Sequence, residues 1–356
     1  MPLNFSHDTL GQRVLFGAGQ AAQLLADEVV RLGARRVMLI AASYEASIAQ
    51  SVTASISVAV TFDDVVQHVP IEKAELARLV AVAEKVDLMV CVGGGSTTGL
   101  AKAVAMTTGI PIIAVPTTYA GSEATPVWGL TEASRKTTGI DIRVLPTTVI
   151  YDATLTYSLP IEMSVASGMN ALAHCIDSLW APKADPINAA FAVEGIRALA
   201  QGLPAVYADA QSEAGREQAL YGAYLSAVSF GSAGSGMHHK ICHVLGGTFN
   251  MPHAQTHATV LPYVLAFNAG AAPEAEQRIA HAFGSATALA GLQDLRQKLD
   301  APRALKDYGF NESDIAEAVS IALPIIPANN PRTPTTENLT ALLRSAWAGD
   351  EPTVQR

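Results

Sequence analysis

The chain has 356 residues, 15% of them charged and 49% apolar, and 32 acids against 23 bases give a formal charge of −9 with the nine histidines neutral. The hydrophobic content excludes intrinsic disorder, and the acidic balance argues against a general nucleic-acid binder. The length exceeds one ordinary core, so about two domains are expected. Cys91, Cys175 and Cys242 have no short spacing, which excludes a disulfide framework or a CxxC metal site and suits a reducing cytoplasm. The N-terminal MPLNFSHDTLGQ lacks the basic and apolar regions of a signal peptide. No run approaches the ~18 apolar residues of a membrane span. The expected protein is therefore cytoplasmic, with no membrane and no nucleic-acid partner. Its low charge points weakly to a buried subunit interface.

In chain order, residues 13–16 read as a short strand and 19–32 as a helix. Residues 36–42 (RVMLIAA) form a β-rich apolar run, 44–53 a helix and 56–62 another strand. Residues 72–85 are amphipathic, with Leu76, Leu79, Val80 and Ala83 at helical spacing. Residues 87–92 (DLMVCV) form a continuous apolar strand, the kind buried on both faces of a parallel sheet. This strand ends in Gly93-Gly94-Gly95-Ser96, where a helix opens, and residues 112–115 are the next strand. The alternation predicts an α/β domain with a Rossmann-like, doubly wound parallel sheet over residues 1–158. From about Pro160 strand-like alternation stops. Alanine-rich helical stretches over 161–180, 187–200, 216–230, 273–290 and 312–323 predict an all-helical domain over residues 159–356.

The glycine run after the buried strand is a candidate phosphate loop. Glycines let the backbone approach a pyrophosphate, and free N–H groups at a helix start bind the anion. Gly94, Gly95, Ser96 and Thr97 are the expected contacts; Gly17-Ala18-Gly19 is a poorer candidate. A second polar loop, residues 116–125 (PTTYAGSEAT), follows the next strand at its carboxyl end, where ligands bind in open α/β sheets. Thr117, Thr118 and Ser122 are candidate hydroxyl contacts to a nucleotide there. Six of the nine histidines lie between residues 174 and 257. His239 and His243 are i,i+4 neighbours on one helix, Asn170 and His174 on another, and His253 follows a Gly246-Gly247 break and Pro252. These five are expected to share one polar pocket. His238, His257, His7, His68 and His281 read as surface or supporting groups.

Taken together, Gly93-Gly94-Gly95-Ser96, Thr117-Thr118-x-x-Gly121-Ser122-Glu123, Gly168-Met169-Asn170-x-x-x-His174, His239-x-x-x-His243 and Pro252-His253 resemble the iron-containing (group III) alcohol dehydrogenase family. Within it, the segments GGGSTTGLAKA, PTTYAGSEATP, GMNALAH, HHKICHVLGGTFNMPHAQTHA and Asn330-Pro331-Arg332 are most similar to the maleylacetate reductases. The resemblance spans nearly the whole chain. It implies a Rossmann-like N-terminal domain, a helical C-terminal domain, NADH or NADPH as cofactor and a homodimer. The family's metal ligands, one Asp and three His, fall on Asn170, His174, His239 and His253. Asn170 replaces the single anionic ligand, so no metal is expected. Gly99 stands where metal-dependent relatives carry Asp. Ser43 stands where NAD-preferring relatives carry an acid that binds the ribose diol, so both dinucleotides are expected to be accepted.

The implied activity is reduction of the C=C bond of a small dicarboxylate, maleylacetate, to 3-oxoadipate in aromatic-compound degradation. Hydride adds at the alkene carbon β to the ketone, negative charge builds on the ketone oxygen, and the neighbouring carbon takes a proton. Such a site needs donors for that oxygen, a proton source and anchors for two carboxylates. Imidazolium can supply both charge and N–H donors near neutrality. His243 or His253 is the expected proton donor. Asn170, His174 and His239 are expected to bind substrate, with Lys240 and Arg332 as further carboxylate anchors and Tyr119 as a candidate contact to substrate or nicotinamide. The rival readings are a metal-dependent alcohol dehydrogenase or carbonyl reductase and a non-catalytic nucleotide-binding sensor. The first is disfavoured by Asn170, and the second by the intact phosphate loop and histidine set.

Overall fold

The apolar runs of the N-terminal half become strands, each ending where glycine or polar residues interrupt it. A computed structural model describes residues 4–132 and 135–354. The first half contains β1 (Arg13–Phe16), α1 (Ala21–Leu32), β2 (Val37–Ile40), α2 (Ala46–Val52), β3 (Val58–Phe62), α3 (Ile71–Ala83), β4 (Leu88–Gly93), α4 (Gly95–Thr108) and β5 (Ile112–Pro116). A hairpin of β6 (Val127–Glu132) and β7 (Arg135–Ile140) follows, then β8 (Thr148–Tyr151). Six strands form one sheet in the order β1-β8-β5-β4-β2-β3, and every pairing is parallel. The inner strands β2, β4, β5 and β8 are buried at every position, as continuous apolar runs require when helices cover both faces.

The order of strands places a ligand crevice. From β2 the chain moves outward to β3, then returns past β2 to β4, so the loops after β2 and β4 leave in opposite directions. In open parallel sheets such a switch point opens a crevice at the carboxyl ends of the two strands. The residues there are Ser43 to Glu45 after β2 and the glycine run after β4.

The β6–β7 hairpin and β8 are not among the strands expected from the sequence. The hairpin is polar along β7, and β8 is only four residues (TVIY). The helix expected at 44–53 starts instead as a 3-10 turn at Ser43–Glu45.

Leu10–Leu159 form one compact unit, and the described residues before Leu10 join those from Pro160 onward in the other. His7 ties that N-terminal segment down: its Nδ1 lies 2.9 Å from Asp185 Oδ2. Asp185 is also the N-cap of α6, accepting from the backbone N–H groups of Ile187 and Asn188. The helices of this unit are α5 (Ile161–Ser178), α6 (Pro186–Ala208), α7 (Glu213–Ala233), α8 (Met237–Phe249), α9 (His253–Ala269), α10 (Pro273–Phe283), α11 (Ala288–Lys298), α12 (Ile315–Ala322) and α13 (Thr336–Ala348). The stretch read as one helix over 273–290 is broken at Gly284, whose φ of 68° ends α10 in a left-handed cap. The helices α9 and α13 are not among those expected from the sequence. Pro262 inside α9 reads as a breaker, yet every residue of α9 from Thr256 to Ala269 is buried, so packing overrides the local penalty.

Two features fix the frame around α5, α8 and α9. A Cβ on Gly202 would lie 2.7 Å from the Ala219 backbone nitrogen, so α6 and α7 meet backbone to backbone. On the other side Met237, Ile241 and Leu245 of α8 pack with Val260, Val264 and Phe267 of α9 and with Leu339 and Leu343 of α13. Such fully buried aliphatic and aromatic side chains each contribute roughly 1.5–3 kcal/mol. No helix among the described residues is long and apolar enough to cross a membrane.

Candidate active site

In the α/β unit, Gly94 is the N-cap of α4, with no side-chain cap and no acid in the first turn. The first N–H groups of α4 are thus open to an anion, and its dipole favours one. The glycines also make room for protein. A Cβ on Gly94 would lie 3.1 Å from Thr118 Cγ2, and one on Gly93 would lie 2.5 Å from both Glu45 Oε2 and Thr97 Oγ1. The loops after β2 and β5 therefore close directly on the phosphate loop. Gly99 is similarly committed, since a Cβ there would meet Val69 Cγ2 at 2.9 Å.

The expected cofactor contacts divide by exposure. Gly94, Gly95, Ser96, Thr118 and Ser122 are half-buried and Ser43 is exposed. Thr97 and Thr117 are buried, and the Thr117 hydroxyl donates to Glu45 Oε1 at 2.6 Å. Tyr119 is fully buried. The residue that sequence reasoning overlooked is Glu45, an acid two positions beyond Ser43. Burial raises its pKa, opposed by the hydrogen bond from Thr117.

In the helical unit, α5 is buried continuously from Ser164 to Ser178 and brings Asn170, His174 and Asp177 onto one side. The α8 helix carries His238, His239 and His243, and α9 carries His253 and His257. His174 stacks on His239, with centroids 4.9 Å apart, and both rings pack on Phe230. His257 lies between the groups: its ring is 4.4 Å from His253, 4.9 Å from His239 and 6.5 Å from His243. The four histidines expected in the pocket, His174, His239, His243 and His253, thus meet in one cluster with His257 and with His238, whose Nε2 lies 2.9 Å from His257 Nδ1. The cluster has two layers. His174, His238, His239 and His257 are buried, whereas His243 and His253 are exposed.

Asp177 organises the buried layer. Fully buried, it accepts the backbone N–H groups of Gly236, His238 and His239 at the start of α8, and its Oδ2 lies 2.7 Å from His239 Nδ1. Trp180 Nε1 donates to its other oxygen at 3.3 Å. An acceptor-only carboxylate makes Nδ1 of His239 the protonated nitrogen and leaves Nε2 bare. The signal for Asp177 was present in its spacing, three residues beyond His174 on the same helix.

Several polar atoms of this cluster are buried without a hydrogen-bond partner: Asn170 Oδ1, His174 Nδ1, His238 Nδ1, His239 Nε2 and His257 Nε2. Buried orphans are rare, so several in one place mark a site that a ligand completes. In the buried layer, burial opposes the positive charge that imidazolium would carry. Burial, then the neighbouring imidazoles, drive His174 and His239 well below 6.5, and burial does the same to His238 and His257. The buried layer is neutral and offers N–H donors and lone pairs rather than charge. Lys240, half-buried on α8, is the adjacent cation. Arg332 is elsewhere: it stacks over Phe267 at 4.8 Å, ten residues or about 15 Å along α9 from His257.

The family metal positions, Asn170, His174, His239 and His253, present an amide and three imidazoles with no anionic donor, and the buried carboxylate of Asp177 is taken up by the start of α8. Among the described residues, the only three His, Cys, Asp or Glu donors within 4.8 Å of one another belong to His238, Cys242 and His257. Those two imidazoles already bond each other, and burial holds the Cys242 thiol well above 9.

The family model described as iron-containing alcohol dehydrogenase matches residues 11–153, and the C-terminal model of the Fe-containing alcohol dehydrogenase family matches residues 164–347. The chain is 44% identical to a maleylacetate reductase of Sphingobium indicum over 351 residues, 98% of this chain and 99% of that one. Among solved structures, an iron-containing alcohol dehydrogenase from Corynebacterium glutamicum is 66% identical with a TM-score of 0.98, covering 99% of both chains. The maleylacetate reductase from Agrobacterium tumefaciens is 38% identical with a TM-score of 0.94, covering 99% of this chain and 100% of that one. The chain belongs to the iron-containing alcohol dehydrogenase family.

Proposed function

We propose that this chain is an oxidoreductase that reduces the C=C bond of maleylacetate to give 3-oxoadipate, an NAD(P)H-dependent step of aromatic-compound degradation. It does so as a cytoplasmic homodimer without a metal. The observation that carries the reading is the orphaned Asn170–histidine cluster, which holds donors and acceptors for a polar substrate and no anionic metal ligand. The 44% identity to a maleylacetate reductase over almost the full length supports the substrate.

The uncapped start of α4 fits a dinucleotide pyrophosphate, with Gly94, Gly95, Ser96 and Thr97 around it and Thr118, Ser122 and Ser43 at the adjoining loops. The bound dinucleotide supplies a hydride for the alkene carbon β to the ketone. The chain's residues do the rest. As electron density moves to the ketone oxygen, an N–H of the neutral His174 ring and the Asn170 amide stabilise it. His239 presents its bare Nε2 to a bridging water, whose own O–H donates to the substrate. His243 or His253, the exposed pair, delivers a proton to the carbon next to the ketone and recovers one from water. Lys240 serves as the near carboxylate anchor.

Spectrophotometric oxidation of NADH or NADPH by maleylacetate is the direct test. Turnover with formation of 3-oxoadipate is expected, and absence of turnover with both dinucleotides overturns the reading. Dialysis against a chelator is expected to leave activity intact. Activity lost on dialysis and restored by Fe²⁺ or Zn²⁺ would overturn the metal-free part.

A further inference from the structure

Two ionisable side chains of the α/β unit are buried beside the loop after β5, and neither has a role in the chemistry above. Lys102, on α4, is fully buried. Its Nζ donates to the Ser122 carbonyl at 2.5 Å, the Thr125 carbonyl at 2.8 Å and the Val127 carbonyl at 2.8 Å, with Thr125 Oγ1 at 3.3 Å. All four acceptors lie on one stretch of chain, residues 122–127. The nearest acid, Glu123, accepts instead from the Tyr151 hydroxyl at 2.8 Å. Glu45 sits at the other end of the same loop, accepting the Thr117 hydroxyl at 2.6 Å.

A buried ammonium held only by neutral acceptors is costly. Burial lowers Lys102 to about 7 against the attraction of Glu123, and burial raises Glu45. Simple core packing could be met by apolar residues of the same size. What these two provide is a directional hold on backbone and hydroxyl groups of the loop. Lys102 fixes 122–127 to the helix whose first turn faces the phosphate, and Glu45 fixes Thr117 to the loop after β2. Between the anchors lies the short span 118–121, and there Thr118 and Ala120 close on the positions where Gly94 and Gly95 would carry a Cβ.

We propose that Lys102 and Glu45 are the positioning residues of the dinucleotide loop, pinning residues 117–127 at both ends as a preset arch over the phosphate loop. This rests on the reading that the loop binds NAD(P)H. Preorganisation of this kind appears as affinity, because the ordering cost is met before the ligand arrives.

The test uses the full chain. In K102M and in E45A the dissociation constant for NADH is expected to rise roughly tenfold, with turnover at saturating NADH within about twofold of wild type. E45Q keeps an acceptor for Thr117 and is expected to restore wild-type NADH affinity. Hydrogen exchange at residues 117–127 should quicken in K102M and E45A while the strands β4 and β5 stay protected. Unchanged NADH affinity and loop exchange in K102M overturn the proposal. So does a shift of NADPH-to-NADH preference in E45Q, which would make Glu45 a charge discriminator, or exchange that rises equally across the sheet. Should the wild-type chain bind neither dinucleotide, the functional reading falls, and the exchange rates alone decide the arch.

Discussion

The loop end of the α/β unit and the histidine cluster of the helical unit both bury polar groups, but they do so in opposite ways. Around the loop, buried groups are mostly satisfied by protein: Lys102 has four acceptors, Glu123 has Tyr151, and Thr117 has Glu45, whose Oε2 alone of these is left without a partner. In the cluster, five buried nitrogen and oxygen atoms face no partner. A satisfied network is rigid before any ligand arrives. An unsatisfied one is stabilised by the ligand, because unpaired buried polar groups cost about 1–3 kcal/mol each. On the proposed function, the first region would hold the dinucleotide in place and the second would respond to the group that changes during reaction.

The sharpest way to break this contrast is at the exposed pair of the cluster. If His243 or His253 delivers the proton, replacing that one residue by alanine should lower kcat by roughly 10²–10⁴-fold with little effect on NADH affinity. Steady-state kinetics with maleylacetate identify which of the two it is. Wild-type turnover in both variants would sink the assignment.

A smaller effect is expected one layer deeper. Asp177 to Asn keeps the size of the side chain but puts an NH₂ among groups that all donate to the carboxylate. His239 is then driven to the other tautomer, so its Nε2 changes from acceptor to donor. We expect kcat/KM to fall roughly 10²-fold and nitrogen NMR of His239 to report the switched tautomer. A comparable loss with the tautomer unchanged would assign Asp177 to holding the start of α8 alone.

The two regions were also unequally legible in the sequence. The strands of the parallel sheet announce themselves because burial on both faces demands unbroken apolar runs such as LMVCV, and the glycine run after β4 could be placed on a helix start. The histidine pairs could be placed by their helical spacing. What spacing does not give is depth. His238 and His257 were set aside as surface or supporting groups and lie in the buried layer, while His243 and His253 are exposed. Nor does a sequence show that burial opposes charge on these imidazoles, or that Asp177 is consumed by the amides of a helix sixty residues away. Glu45 escaped for a related reason: the turn after β2 points Ser43 outward and Glu45 inward.

The smallest effect expected concerns stability, in the part of the molecule where buried charge is fully answered. Glu28 on α1 is buried, takes the Thr148 hydroxyl at 2.7 Å and receives Arg31 and Arg13 at 2.8 and 2.9 Å. Burial works to raise its pKa, but the hydrogen bonds of Arg31 and Thr148 and the two positive charges outweigh it, and the net shift is below the ordinary 4.5. A carboxyl held low in the folded state contributes stability that is fully present above its unfolded value and is lost as pH falls through the folded value. Both arginines are partly exposed, so solvent discounts the charge pairs, and E28Q should cost only about 1 kcal/mol at neutral pH. Urea unfolding at neutral pH and again below the ordinary carboxylate range measures it. The gap between wild type and E28Q should close in acid. A gap that persists unchanged would mean that shape rather than charge holds this corner of the sheet, and satisfied charge would no longer distinguish the scaffold from the site.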